Sequence, residues 1–202
     1  MNSGVVFRAV RVASVGAFAS LVVACGGARF VPISYEAFQP NLTSYAEKYK
    51  DKSVLLYDFA NHAENTKYSR YLGKNRRNYG SPNSGPAGIG GRPLDSYFWY
   101  CFEKGLTNAG FAVLKDGDPH SHEAPSLRVV LDSIYEDRFV FTVEAVRRGT
   151  PIVTRQIDIR EPTPASGEDT AHQLEARAYR MMNRSIQAVL SDPEIQKLLA
   201  GP

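Results

Sequence analysis

Three groups of residues in this 202-residue chain have types and spacings that could do chemistry. Cys25 closes an apolar run directly after Val22-Val23-Ala24, and its sulfur is a potential nucleophile. His120-Ser121-His122, flanked by Asp116, Asp118 and Glu123, could offer two imidazoles and a carboxylate to a metal ion. Two histidines at i, i+2 without a cysteine fall far short of a structural zinc pattern. His62 and His172 stand at no fixed spacing to them, and residues 116–125 also read as an ordinary polar loop, so no metal is expected. The third group, Lys67, Arg70, Lys74, Arg76, Arg77 and Arg92, interleaves with Tyr68, Tyr71 and Tyr79. Guanidinium forks take phosphate oxygens two at a time, so this group suits an anionic surface. The plainer alternative is a solvated loop whose charge keeps it soluble.

Signatures of catalysis are missing. The Gly80–Gly91 stretch lacks the Gly-Lys-Ser/Thr ending of a phosphate loop, and Gly88-Ile-Gly-Gly91 lacks dinucleotide spacing. No serine sits in a Gly-x-Ser-x-Gly elbow. Neither enzymatic activity nor a cofactor is expected. Cys101 lies in the run Tyr97-Phe98-Trp99-Tyr100-Cys101-Phe102 and reads as a small core residue.

Arg8 and Arg11 precede an uncharged, mostly apolar stretch from Val12 to Ala24, the layout of an export signal. That stretch is shorter than the roughly 20 residues of a membrane span. The Val-Val-Ala-Cys-Gly ending resembles the lipobox of bacterial lipoproteins. The resemblance implies that Cys25 takes a diacylglyceryl group and becomes the mature N-terminus. Two or three acyl chains hold a protein firmly to a bilayer where one binds marginally. Residues 1–24 are then the signal peptide and 25–52 the lipidated N-terminus and tether. Residues 53–202 form a single domain, with a Gly/Pro-rich loop at 61–93. Removing Arg8 and Arg11 from the 24 basic residues leaves 22 against 21 acidic ones, so the mature chain is near neutral and no nucleic-acid partner is expected.

The elements that would position these groups follow from hydrophobic period. Ser53 to Phe59 is a short apolar run and reads as a buried strand. Leu94 to Asn108 reads as an amphipathic helix, with Pro93 and Asp95 at its start and Gly110 past its end. Ala112-Val113-Leu114 starts a short strand. Leu127, Val129, Leu131, Ser133 and Tyr135 alternate along one face, as do Phe139, Phe141, Val143 and Ala145. With Pro151 to Arg160 they predict an antiparallel meander, turning at Glu136-Asp137 and at Arg148-Gly149, with one face wet. A helix from Asp169 or Thr170 to about Leu190 buries Leu174, Ala178, Met181, Met182, Ile186 and Val189. Ser191-Asp192-Pro193 ends it, and a last short helix spans Glu194 to Leu199. The expected fold is α+β: a two-layer α/β sandwich, a mixed sheet with a three-strand meander and two helices on one face.

The lipobox, the Val54-Leu-Leu-Tyr-Asp-Phe59 strand, the helix end Leu106-Thr-Asn-Ala-Gly-Phe-Ala-Val113, the strand Leu127-Arg-Val-Val-Leu131 and the ending Leu190-Ser-Asp-Pro-Glu-Ile195 together resemble small bacterial envelope lipoproteins of the YajG type. More loosely they are similar to auxiliary lipoproteins of ABC-type export and outer-membrane assembly systems. The resemblance implies a non-catalytic binding or scaffolding subunit, lipid-held on the periplasmic face of the outer membrane, contacting envelope proteins or a second copy of itself. The alternative is a lipoprotein that binds lipid or glycan through the basic 67–92 loop or an apolar pocket. A solvent-open pocket lined by Tyr57, Phe98, Trp99 and Phe141 would favour that alternative. A closed core with a bare strand edge would favour the first reading.

Overall fold

The computed structural model describes residues 29–32, 36–63, 77–80, 94–147, 150–162 and 171–201. Cys25, the signal segment, Pro93 and the candidate caps Asp169 and Thr170 lie outside them. Nine residues of β2 (Ser53–Asn61) lead towards helix α2 (Leu94–Asn108) and the short strand β4 (Ala112–Leu114). β5 (Ser126–Tyr135), β6 (Arg138–Arg147) and β7 (Thr150–Arg160) follow as the meander. The chain closes with α3 (Ala171–Ser191) and α4 (Pro193–Ala200). The sheet runs β4-β2-β5-β6-β7, with β2 parallel to both its neighbours and the meander antiparallel. The mixed sheet with helices is the expected α+β fold.

One face of the sheet carries the core. Val54, Leu127, Val129, Leu131, Phe139, Phe141, Val143 and Ala145 pack in one cluster with Phe98, Phe102 and Leu106 of α2, with Leu174, Met181 and Ile186 of α3, and with Ile195 and Leu199 of α4. α2 stops where expected: Gly110 takes a φ of 99°, and the Phe111 N–H donates back to Leu106 O at 3.1 Å. That left-handed step suits glycine, and a Cβ there would lie 2.7 Å from Ala46 O.

Three details depart from the sequence reading. Pairing slips between Leu131 and Ser133, so Ile134 is buried and Tyr135 faces out, 39% exposed. The extra residue of a bulge moves every later side chain to the opposite face, which Ser133 and Tyr135 could not announce. The second departure is the tether. The helical turn expected around Tyr45 to Lys50 is present as helix α1 (Ala46–Tyr49) after a 3-10 turn (Thr43–Tyr45), but residues 36–50 also bury Phe38, Leu42 and Tyr49 in the core. Asn183 Oδ1 accepts from Asn41 N–H at 2.8 Å, Asn108 Oδ1 accepts from Leu42 N–H at 2.7 Å, and the Tyr49 ring stacks 4.2 Å from Phe111. Burial pushes the Tyr49 hydroxyl up to about 12, with the Tyr45 charge adding to it. This stretch is part of the folded unit. Third, the 61–93 loop contains a strand, β3 (Arg77–Gly80), which pairs in parallel with β1 (Arg29–Pro32); β1 lies against α3.

Candidate functional site

Among the expected binding residues, Lys67, Arg70, Lys74, Arg76 and Arg92 lie outside the described residues, as does Cys25. Arg77 opens β3, in register with Arg29. The histidine pair stands on the loop between β4 and β5. The His120 and His122 side chains are 78% and 79% exposed, and each approaches Glu123, at 3.5 and 3.6 Å. Asp118 Oδ2 accepts from Lys115 N–H at 2.7 Å and Glu123 N–H donates to His120 O at 3.0 Å, the bonding of a run of polar turns. Among the described residues no group of His, Cys, Asp and Glu is gathered to hold a metal ion. Cys101 lies on α2, fully buried in the core.

The aromatic residues that bear on an amphiphile pocket part company. Phe98 and Phe141 are fully buried, with ring centroids 5.5 Å apart in edge contact. Phe59, Phe102 and Phe139 close around them at 5.5 to 6.4 Å. Tyr57 faces solvent, 57% exposed. The phenylalanines pack together in the core, Trp99 is partly buried against it, and Tyr57 stands outside it.

The sheet's other face carries a network of charged side chains. Arg128 donates through Nε to Asp58 at 3.1 Å and through Nη1 to Glu144 at 3.3 Å, a bridge across three strands. Those hydrogen bonds raise the guanidinium's already high proton affinity. Arg138 grips both oxygens of Asp158, at 2.8 and 3.0 Å, and Arg160 reaches the same carboxylate. Arg138 first, then Arg160, holds the Asp158 carboxyl well down, to about 2. Thr142 Oγ1 donates to Asp132 at 2.7 Å. A groove of about 540 Å³ lies between this face and the β4–β5 loop.

β7 is the sheet's long edge. Ten of its eleven residues pair with β6 on one side, Ile152 being the extra residue of a bulge, and no other described strand pairs with the opposite side. Val153, Ile157 and Ile159 point into the core, while Ile152 is 57% exposed. Arg155, on the inward-facing side, reaches the start of α4, where its Nε donates to Asp192 at 2.8 Å and Nη2 to Glu194. Asp192 also caps α4, accepting from the N–H groups of Glu194 and Ile195 at 3.0 Å each. Burial pushes the Asp192 carboxyl up, but the Ile195 N–H and the Arg155 guanidinium outweigh it and hold it down. Sequence reasoning left this clasp unseen, because its members are 37 and 39 residues apart.

No family model and no curated protein matches the chain. Solved structures do. The crystal structure of the protein XCC0632 from Xanthomonas campestris, a DUF330 protein, is similar with a TM-score of 0.54 at 9% sequence identity, over 84% of this chain and 94% of that one. A crystal structure of an uncharacterized protein is similar over 81% and 97%, with a TM-score of 0.45 at 10% identity. The likeness to XCC0632 is one of fold.

Proposed function

We propose that this chain is a lipid-anchored bacterial envelope lipoprotein, a non-catalytic binding or scaffolding subunit of an outer-membrane assembly or transport system. Cys25 is the lipidated residue and the outer membrane, periplasmic face, its location. The finer family reading, an envelope lipoprotein of the YajG type or an export-auxiliary relative, belongs to this proposal. One contrast supports it: the aromatic core is closed, while β7 offers eleven residues of backbone on a side where no described strand pairs. Unpaired N–H and C=O groups at a sheet edge invite a partner strand, from another envelope protein or a second copy. Phe98 and Phe141, expected to line an amphiphile pocket, are instead fully buried in that core.

The test is affinity purification of the full-length protein from membranes, with identification of what co-purifies. The expected result is a defined envelope complex that is lost with Ile152→Lys, since a charge on an edge strand blocks pairing. Bound lipid alone, with no protein, would overturn the scaffolding reading in favour of lipid binding. For the anchor, Cys25→Ser should release the domain to the soluble periplasmic fraction or block processing. Membrane retention of a normally processed Cys25→Ser protein would refute it.

A further inference from the structure

One row of residues crosses the open face from β2 to the edge: Leu55 lies beside Ser126, Ser126 beside Val146, and Val146 beside Pro151. Leu55 and Val146 are each only 8% exposed, yet neither belongs to the core cluster. They face away from the helices and form the floor of the groove beneath the β4–β5 loop. One wall is the adjoining charged row, Asp58, Arg128 and Glu144; Asp116 and His122 of the loop make the other. Tyr57 stands exposed in the lining, and Pro151 brings the groove to the first residues of β7.

The lining carries three carboxylates, Asp58, Asp116 and Glu144, against one guanidinium. Arg128 engages Asp58 Oδ2 and Glu144 Oε2. Among the described residues no donor is bonded to Asp58 Oδ1, Glu144 Oε1 or the Asp116 carboxylate. An apolar floor under an acidic rim selects its occupant by charge complementarity. A purely apolar segment would strip water from the carboxylates without replacing it, and an acidic one would be repelled.

We propose that this groove receives a segment of a partner protein in which a basic side chain stands beside an apolar one. The apolar side chain covers Leu55 and Val146, and the cation sits between Asp58, Glu144 and Asp116 with the Tyr57 ring at hand. This rests on the partner-binding reading above and adds the partner's chemistry: whatever pairs with β7 presents a basic-apolar stretch next to its strand.

The test uses the full-length protein in non-ionic micelles, empty micelles as control, and fluorescence anisotropy of two labelled ten-residue probes. One is a Ser/Gly peptide carrying a central Leu-Arg-Leu-Arg, the other the same peptide with Glu for Arg. The basic probe should bind at least about tenfold tighter than the acidic one, and more weakly as salt rises. Glu144→Gln breaks the bridge to Arg128 and risks the sheet, so the deciding variant is Asp116→Lys, on an exposed loop residue. It should weaken the basic probe about fivefold or more, and Tyr57→Ala should weaken it too. Ile152→Lys, outside the groove lining, should leave it within about twofold. Equal binding of the two probes, or no effect of Asp116→Lys, overturns the groove proposal. Membrane capture lost with Ile152→Lys would leave the edge reading standing, so the two failures are told apart.

Discussion

Gly105 should not tolerate a methyl group. It lies inside α2, where alanine is about 1 kcal/mol better than glycine, so Gly105→Ala would stabilise an isolated helix. In the fold, a Cβ at 105 would lie 2.5 Å from Ile186 Cδ1, 3.3 Å from Ile186 Cγ2 and 3.4 Å from Leu42 Cδ1. Ile186 on α3 is fully buried and Leu42 is 1% exposed, so a shift of the Ile186 Cδ1 end has to be taken up by packed neighbours rather than by solvent. Forcing extra volume into a packed core costs about 1–3 kcal/mol, which leaves a net loss of about 1 kcal/mol. Ile186→Val removes Cδ1, the atom in closest conflict, and alone costs about 0.5–1.5 kcal/mol. In the double variant the new methyl occupies the vacated space. The pair should therefore exceed the sum of its single effects in stability by about 1–3 kcal/mol. Urea melts of the full-length protein, followed by far-ultraviolet circular dichroism, give these differences as midpoint shifts at unchanged slope. A Gly105→Ala protein as stable as its parent, or strict additivity, would mean that α2 and α3 do not meet through these residues and that residues 36–50 do not close over them.

Asp158 has a folded-state value lowered from 3.8 to about 2, so its contribution is present above about pH 4 and is lost as pH falls through about 2. Its side chain is 34% exposed, and solvent screening limits that contribution to about 1 kcal/mol or less. Asp158→Asn should lower the urea midpoint at pH 7, and the difference from the parent should shrink between pH 4 and pH 2; a constant difference would refute the pairing with Arg138 and Arg160. Asp192→Ala removes the acceptor of two α4 N–H groups and should cost about 0.5–2 kcal/mol. Asp192→Asn keeps that cap and should cost less in the same melts, so equal losses would show that capping is not what Asp192 contributes.

Much of this architecture was legible because period and punctuation agreed. In α3, Leu174, Ala178, Met181, Met182, Ile186 and Val189 repeat at helical spacing, and all are buried. Gly110 and Asp192-Pro193 marked boundaries that the backbone respects. The first folded segment was harder. Phe38, Leu42, Tyr45 and Tyr49 share one helical stripe, but Pro40 interrupts it and only Ala46–Tyr49 is α-helical, so the pattern read as a spacer. β1 and β3 are four residues each, and their partnership spans some fifty positions, beyond any local signal. The β5 bulge hid among Asp132 and Ser133, where polar neighbours give no hint of which residue is extra. The groove depends on a register across four strands, which alternation within any one strand does not specify.

The two edges of the sheet are treated differently, and that asymmetry narrows where a partner can pair. β4 exposes only three residues. β7 is long, and a long edge in a protein that remains separate is blunted by proline, bulges, charge or inward-turned cations. β7 carries such devices at both ends: Pro151 and the pairing slip opposite Ala145 and Val146 at the start, Asp158 and Arg160 tied to Arg138 at the finish. Arg155 turns inward and is clasped to α4 through Asp192, so its charge is withdrawn from the open edge. Between these guarded ends, Val153 to Ile157 presents Thr154 and Gln156 to solvent and little to repel another strand. The segment left open is about five residues, close to the length of an ordinary strand, and it begins just past Pro151, where the acidic groove ends. A partner strand docking there has its register limited by the guarded ends and its flanking charge selected by the groove.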